Sequence, residues 1–225
     1  MNLAFARRLS AEFLGSALLA ALVIGSGIAA QRLSPSDTGL QLLENALATA
    51  LGLPVLILIF GPISGAHFNP VVSLVDSVIG MRAWRDTIAY IPAQSSGCIA
   101  GAILANLMYG DPAVSISTTD RLTPPHFLAE IIATAGLVLV IFVLARTDRA
   151  NLTPAAVGAY IGAAYFFTSS TSFANPAITI GRIFSDSFAG IAPASAPGYI
   201  AAQLIGAALG LLVLCWLYPR AASRS

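Results

Sequence analysis

The sequence predicts an all-α integral membrane protein: six transmembrane helices plus two re-entrant half-helices, arranged as an inverted repeat. Three observations lead there. The chain of 225 residues is 57% hydrophobic and 9% charged, whereas a soluble domain averages roughly 25% charged residues. Several apolar stretches reach about 20 residues, the length that crosses a membrane. The dipeptide Asn-Pro occurs twice, at Asn69-Pro70 and Asn175-Pro176, each time heading an apolar piece too short to cross.

Six spans follow from hydropathy, near Ser10–Ala30, Leu40–Phe60, Asp86–Tyr109, His126–Arg146, Thr153–Ser170 and Gly198–Tyr218. Arg7-Arg8 before the first span resembles a signal peptide. Glu12 inside the run and the further spans favour a retained helix. The short pieces are Asn69–Ile79 and Asn175–Asp186. Asn is a strong N-cap and Pro suits the first helical position, so each Asn-Pro reads as a helix start. Eleven residues, Asn69–Ile79, make roughly 16 Å of helix, half of a ~30 Å hydrocarbon core.

All 11 basic residues are arginine. With six spans, Arg7, Arg8, Arg82, Arg85, Arg146, Arg149, Arg220 and Arg224 share one side, and Arg32, Arg121 and Arg182 the other. That asymmetry predicts cytoplasmic termini. Expected localisation is the plasma (bacterial inner) membrane, with membrane lipid as a partner.

The chain repeats itself in order. Ala11–Leu19 echoes Ala129–Leu137, Gly65–Ser73 matches Thr171–Thr179, and Tyr90–Gly101 matches Tyr199–Gly210. One membrane domain over 1–225 is expected, with repeats of approximately 8–110 and 124–219. Each repeat has three spans, an odd number, so the second enters from the opposite face. The two half-helices then meet N-terminus to N-terminus at the midplane. Each brings about half a positive charge and an Asn amide that caps its own helix and still offers N–H donors. Cations and protons are repelled there, while a small neutral solute with oxygen lone pairs is served.

A net charge of +1 argues against nucleic acid. No nucleophile–base pair or metal-ligand cluster is readable, so an enzyme, a cofactor and a metal are not expected. Cys98 and Cys215 read as two small core residues.

The stretches Ala11–Ser16 (AEFLGS), Ser64–Ser73 (SGAHFNPVVS), Ala89–Gly97 (AYIPAQSSG), Ala129–Leu137 (AEIIATAGL) and Phe173–Thr179 (FANPAIT) resemble the aquaporin, or major intrinsic protein, family across nearly the whole chain. The resemblance implies six tilted helices and two half-helices around a narrow pore, one per subunit of a homotetramer. It also implies that Asn69, Pro70, Val71 and Asn175, Pro176, Ala177 are the pore signatures. Val71 departs from the family's alanine and adds bulk at the midplane.

A second departure bears on selectivity. The family usually carries Arg three residues after the second signature Asn; here Ile178 stands there. By spacing, the family's narrowest region maps onto Thr49, Ala163, Ser172 and Ile178, without an aromatic residue or the filter arginine. That set implies a wide filter, suited to polyols, urea-like molecules and metalloid hydroxides such as arsenous acid. Some bacterial relatives with an aliphatic residue here are associated with arsenical resistance.

Arg182 follows Ile178 by four residues, one turn on along the same helical face. It either lines the outer vestibule, favouring oxygen-rich or weakly anionic solutes, or pairs with Asp186 or snorkels to headgroups. Glu12 and Glu130 read as buried structural carboxylates bonded to loop backbone, and Gln94 and Gln203 as their loop-anchoring companions. His67 faces the cytoplasmic half of the pore. Asp76 has Arg82 or Arg85 as a partner and no further account.

The leading function is a passive channel for small neutral solutes, with water as a co-permeant. The alternatives are a water-selective aquaporin, an ion-coupled secondary transporter, and a structural protein whose pore Val71 blocks.

Overall fold

The structure is a computed structural model in which residues 3–219 are described. Arg220 and Arg224, used in the orientation argument, lie outside the described residues. Eight α-helices follow in order: α1 Leu3–Leu33, α2 Thr38–Ser64, α3 Pro70–Val78, α4 Trp84–Met108, α5 Pro124–Arg146, α6 Thr153–Phe167, α7 Pro176–Gly181 and α8 Ala196–Leu217. The order long, long, short, long runs twice. Five of the helices, α1, α2, α4, α5 and α8, are apolar and long enough to cross a membrane.

The sixth expected span, α6, is shorter than the sequence suggested, with 15 residues. A 3₁₀ turn, Ala150–Leu152, precedes it directly, so the two together reach roughly 28 Å, close to a hydrocarbon thickness. The helix stops at Phe167 because Ser170 to Ala174 are drawn into the hydrogen bonds of the second return loop.

Local chemistry sets several boundaries. Asp37 caps α2 by accepting from Leu40 N–H at 2.9 Å, and Thr123 caps α5 through His126 N–H. Gly65 ends α2 with a φ of 94°, a left-handed conformation that glycine adopts at least cost. Half-helix α3 starts at Pro70 behind its Asn69 cap. Helix α7 starts at Pro176 behind Asn175 and continues as a 3₁₀ turn over Arg182–Phe184.

Packing depends on glycine. Helix α4 lies against α1 with Gly97 facing the Phe13 carbonyl and Gly101 facing the Ala17 carbonyl, so closely that a Cβ at either position would strike the oxygen. Helix α8 lies against α5 in the same way, with Gly206 on the Ile131 carbonyl and Gly210 on the Ala135 carbonyl. Small residues four apart let backbones approach where lipid offers no hydrophobic drive between helices. Helices α2 and α6 meet through Gly158 and Gly162 against Ala50 and Pro54.

The outward surface is apolar. Leu43, Leu47, Leu51, Val55 and Leu58 stand exposed along α2, as do Leu209, Leu212 and Trp216 along α8. Cys98 is buried, with its thiol directed at the Ser16 carbonyl, but Cys215 is exposed. The expectation of two core cysteines is therefore corrected for Cys215, which stands on the outer face of α8.

Replacing Gly101 by Leu is expected to force α4 off α1 at a cost of about 1–3 kcal/mol or more. A thermal melt of the detergent-purified protein should show a lowered midpoint. An unchanged midpoint would mean that this close approach does not hold the helices.

Candidate functional site

Two buried carboxylates organise the site. Glu12 on α1 accepts from Ser64 Oγ at 2.6 Å, His67 N–H at 3.0 Å, Phe68 N–H at 2.8 Å and Gln94 Nε2 at 2.8 Å. Glu130 on α5 accepts from Ser170 Oγ at 2.7 Å, Phe173 N–H at 2.9 Å, Ala174 N–H at 2.9 Å and Gln203 Nε2 at 2.7 Å. Both carboxylates are fully buried. Gln94 and Gln203 also reach forward to Ser73 Oγ and Thr179 Oγ1 on the half-helices.

These bonds hold two loops that L-residues form reluctantly. Ala66 and Phe68 have φ of 49° and 50°, and Ser172 and Ala174 have φ of 49° and 47°. Strain of this kind persists only where surroundings over-determine the backbone. The loops deliver Asn69 and Asn175 to each other. Asn69 Oδ1 accepts from Val71 N–H at 3.1 Å, and its Nδ2 donates to the Ala174 carbonyl at 2.8 Å. Asn175 Oδ1 accepts from Ala177 N–H at 2.9 Å, and its Nδ2 donates to the Phe68 carbonyl at 2.8 Å. One amide N–H of each Asn is thus spent on the opposite loop, which leaves one each for a passing molecule.

A cavity of about 440 Å³ runs past this junction. Its wall is divided chemically. Leu19, Leu53, Leu137, Val157 and Ile161 supply an aliphatic side, and Asn69, Asn175 and the Gly65–Phe68 loop a hydrogen-bonding side. Asp76, Met81 and Arg82 line it toward the far end of α3; Thr49, Ser172, Ile178 and Arg182 line it on the α7 side.

Val71 is not among the lining residues. It is fully buried in a cluster with Val75, Val138, Ala207 and Leu214. Its extra bulk therefore goes into the core rather than the path, and the blocked-pore alternative loses its basis. Pro70, Pro176 and Ala177 are buried beside the two caps.

Ala163 does not line the cavity and is exposed on the outer side of α6. Tyr165 lines it instead, with its hydroxyl 3.2 Å from Thr49 Oγ1. Spacing failed because counting back from Asn175 ignores the rotation of α6. Val157, Ile161 and Tyr165 recur every four residues and mark the inward face, a signal readable in the sequence. The aromatic Tyr165 thus stands against Thr49 on the cavity wall, where spacing had placed the small Ala163.

Arg182 is neither paired with Asp186 nor snorkelling. It is 2% exposed, and Asp186 accepts from the backbone and hydroxyl of Thr118. The Arg182 guanidinium carbon lies 3.4 Å from the Phe173 ring centroid, and its Nε donates to the Ala189 carbonyl. Arg121 also lies over that ring, at 5.5 Å, and donates to the Gly190 and Phe188 carbonyls.

The opposite end has its own ionic cluster. Arg82 Nε donates to Asp76 at 2.9 Å, and its Nη2 donates to the Ser64 carbonyl at 3.0 Å. His67 Nε2 is 3.3 Å from the same Asp76 oxygen, and its Nδ1 is 2.9 Å from Ser73 Oγ. Asp76 thus fixes Arg82, which fastens the loop before α3 to the turn after it. Arg85 pairs with Asp86 instead.

The major intrinsic protein family model matches residues 1–174. The chain is 47% identical over 211 residues to aquaglyceroporin AqpS of Rhizobium meliloti, covering 94% of this chain and 90% of that protein. It is 30% identical to the glycerol uptake facilitator protein of Streptococcus pneumoniae, covering 90% and 95%. Its fold is similar to the aquaglyceroporin of Plasmodium falciparum, with a TM-score of 0.70, 24% identity and 96% of each chain covered.

Glu130→Ala is expected to strip the acceptor from four buried donors and to cost roughly 3–5 kcal/mol. Glu130→Gln, which keeps one acceptor oxygen, should fall between that variant and the parent. Thermal melts of the three purified proteins check the order, and equal midpoints would contradict the role of the carboxylate.

Proposed function

The chain belongs to the major intrinsic protein family, and we propose on that premise that it is a passive transmembrane channel for small neutral solutes, with glycerol-like polyols foremost and water passing with them. It is an integral membrane protein and not an enzyme. The observation that carries the reading is the junction of α3 and α7, whose capping Asn side chains bind each other's loops beside a cavity with one aliphatic and one hydrogen-bonding wall. A polyol has the matching two sides. Its carbon backbone slides along the leucines while its hydroxyls exchange water for Asn amides and loop carbonyls. The helix N-termini at the junction oppose protons and cations.

Thr49, Tyr165, Ser172 and Ile178 are the proposed constriction. An aliphatic residue at 178 removes the bidentate donor of a filter arginine, which admits bulkier uncharged solutes. Metalloid hydroxides such as arsenous acid belong to that class. The proposed architecture is two inverted repeats, approximately 8–110 and 124–219, with both termini cytoplasmic on the arginine asymmetry. The apolar outer faces of α2 and α8 suit lipid or a homotetramer.

Stopped-flow light scattering on proteoliposomes with water, glycerol, urea and arsenous acid tests the reading. Glycerol permeability well above that of empty vesicles, independent of an ion gradient, is expected. Saturable, ion-dependent uptake would point to a secondary transporter, and permeability to water alone would refute a path for polyols. Ile178→Arg should lower glycerol flux about tenfold while sparing water, the scale of one charge-assisted interaction. Tyr165→Ala should raise the flux of the larger solutes, and no change would remove Tyr165 from the constriction.

A further inference from the structure

Arg182 presents a charge that the protein does not neutralise. Among the described residues it has no carboxylate within ion-pair distance, and its one side-chain hydrogen bond goes from Nε to the Ala189 carbonyl. Among the described residues its Nη nitrogens have no acceptor, on a side chain that lines the cavity. The acids in this part of the chain are already engaged: Glu130 by four donors, Asp186 by Thr118, and Asp120 by Ser195 and Leu122. Arg121 adds a second guanidinium over the same Phe173 ring. A buried cation without a partner is costly, and an arginine stacked on an aromatic face is held in position.

A second, independent observation points to the same place. Ser172 lines the cavity, is buried, and its Oγ has no hydrogen-bond partner. Buried hydroxyls are normally satisfied, so this one is available to a molecule in the cavity. The pair offers a forked cationic donor and a hydroxyl beside the apolar Ile178 and the Phe173 ring.

We propose that Arg182 and Ser172 form a docking subsite for a small monoanionic oxo-acid with one apolar side. Arg182 forks onto two oxygens of the ligand, Ser172 donates to an oxygen, and the apolar group rests against Ile178. The proposal rests on the cavity being a solute path. Its consequence is that small oxoanions compete with neutral solutes, and that solutes with strongly accepting oxygens are preferred.

Methanesulfonate, a permanent monoanion with a single methyl group, is the probe. Glycerol flux is measured in proteoliposomes with sodium methanesulfonate on both faces, against equal sodium gluconate, which is too bulky to enter. The expected result is slowed flux in the parent protein, relief of about tenfold in half-inhibitory concentration in Arg182→Leu, and a smaller relief in Ser172→Ala. Saturation-transfer NMR on the methanesulfonate methyl protons, with the detergent-purified proteins, reads binding without flux. Glycerol flux without methanesulfonate inhibition or transfer would overturn the subsite and leave the channel standing. Transfer that Arg182→Leu abolishes, in a protein that passes no glycerol, would support the subsite and sink the channel reading. If Arg182→Leu fails to fold, Arg182→Lys keeps the charge but not the fork, and undiminished methanesulfonate binding would overturn the proposal.

Discussion

The fold of the path depends on two carboxylates that never face it. Glu12 and Glu130 sit on the first helix of each half and each absorbs four donors, two of them backbone N–H groups of a return loop. Irregular backbone at membrane depth must have its polar groups satisfied by the protein. A single carboxylate with two oxygens does this compactly, and it holds residues such as Phe68 and Ala174 at positive φ. Once the loops are fixed, the two Asn-Pro caps have only one relative placement, in which each Asn amide bonds the carbonyl before the other. The half-helix axes, the cavity wall and the positions of Ile178 and Arg182 follow from that placement.

The glycines of α4 and α8 serve the same end. Gln94 and Gln203 can touch Glu12 and Glu130 only if α4 and α8 lie close to α1 and α5. Gly97 and Gly101, and Gly206 and Gly210, remove the side chains that would prevent it. Packing and polar satisfaction are thus one arrangement. A substitution that separates the helices also withdraws a donor from a buried charge.

Charge is distributed unevenly along the path. At the α3 end Arg82 is balanced by Asp76 and anchored to the Ser64 carbonyl. At the α7 end Arg182 and Arg121 share one aromatic ring and have no acidic partner among the described residues. Ile178 taken alone suggests a path without a fixed cation. The structure keeps a cation, one turn further along, where it is framed by Phe173 and the Ala189 carbonyl rather than by the constriction itself.

Much of this was legible in the chain. Composition, span lengths, the repeated Asn-Pro and the three matched segments determined a membrane protein with two half-helices, because hydropathy and capping are local properties. The pairing of Glu12 with Gln94, and of Glu130 with Gln203, was foreshadowed by their equivalent repeat positions. Three matters were decided only by the tertiary structure. The four-residue spacing of Val157, Ile161 and Tyr165 marks one face of α6, but only the fold turned that face to the cavity and Ala163 outward, since counting residues does not carry helical phase across a loop. The gap beside α8 took up the bulk of Val71, since neighbouring helices set how much space a side chain finds. Asp186 turned to Thr118 and left Arg182 over Phe173, since loops far apart in sequence choose hydrogen-bond partners by proximity in space.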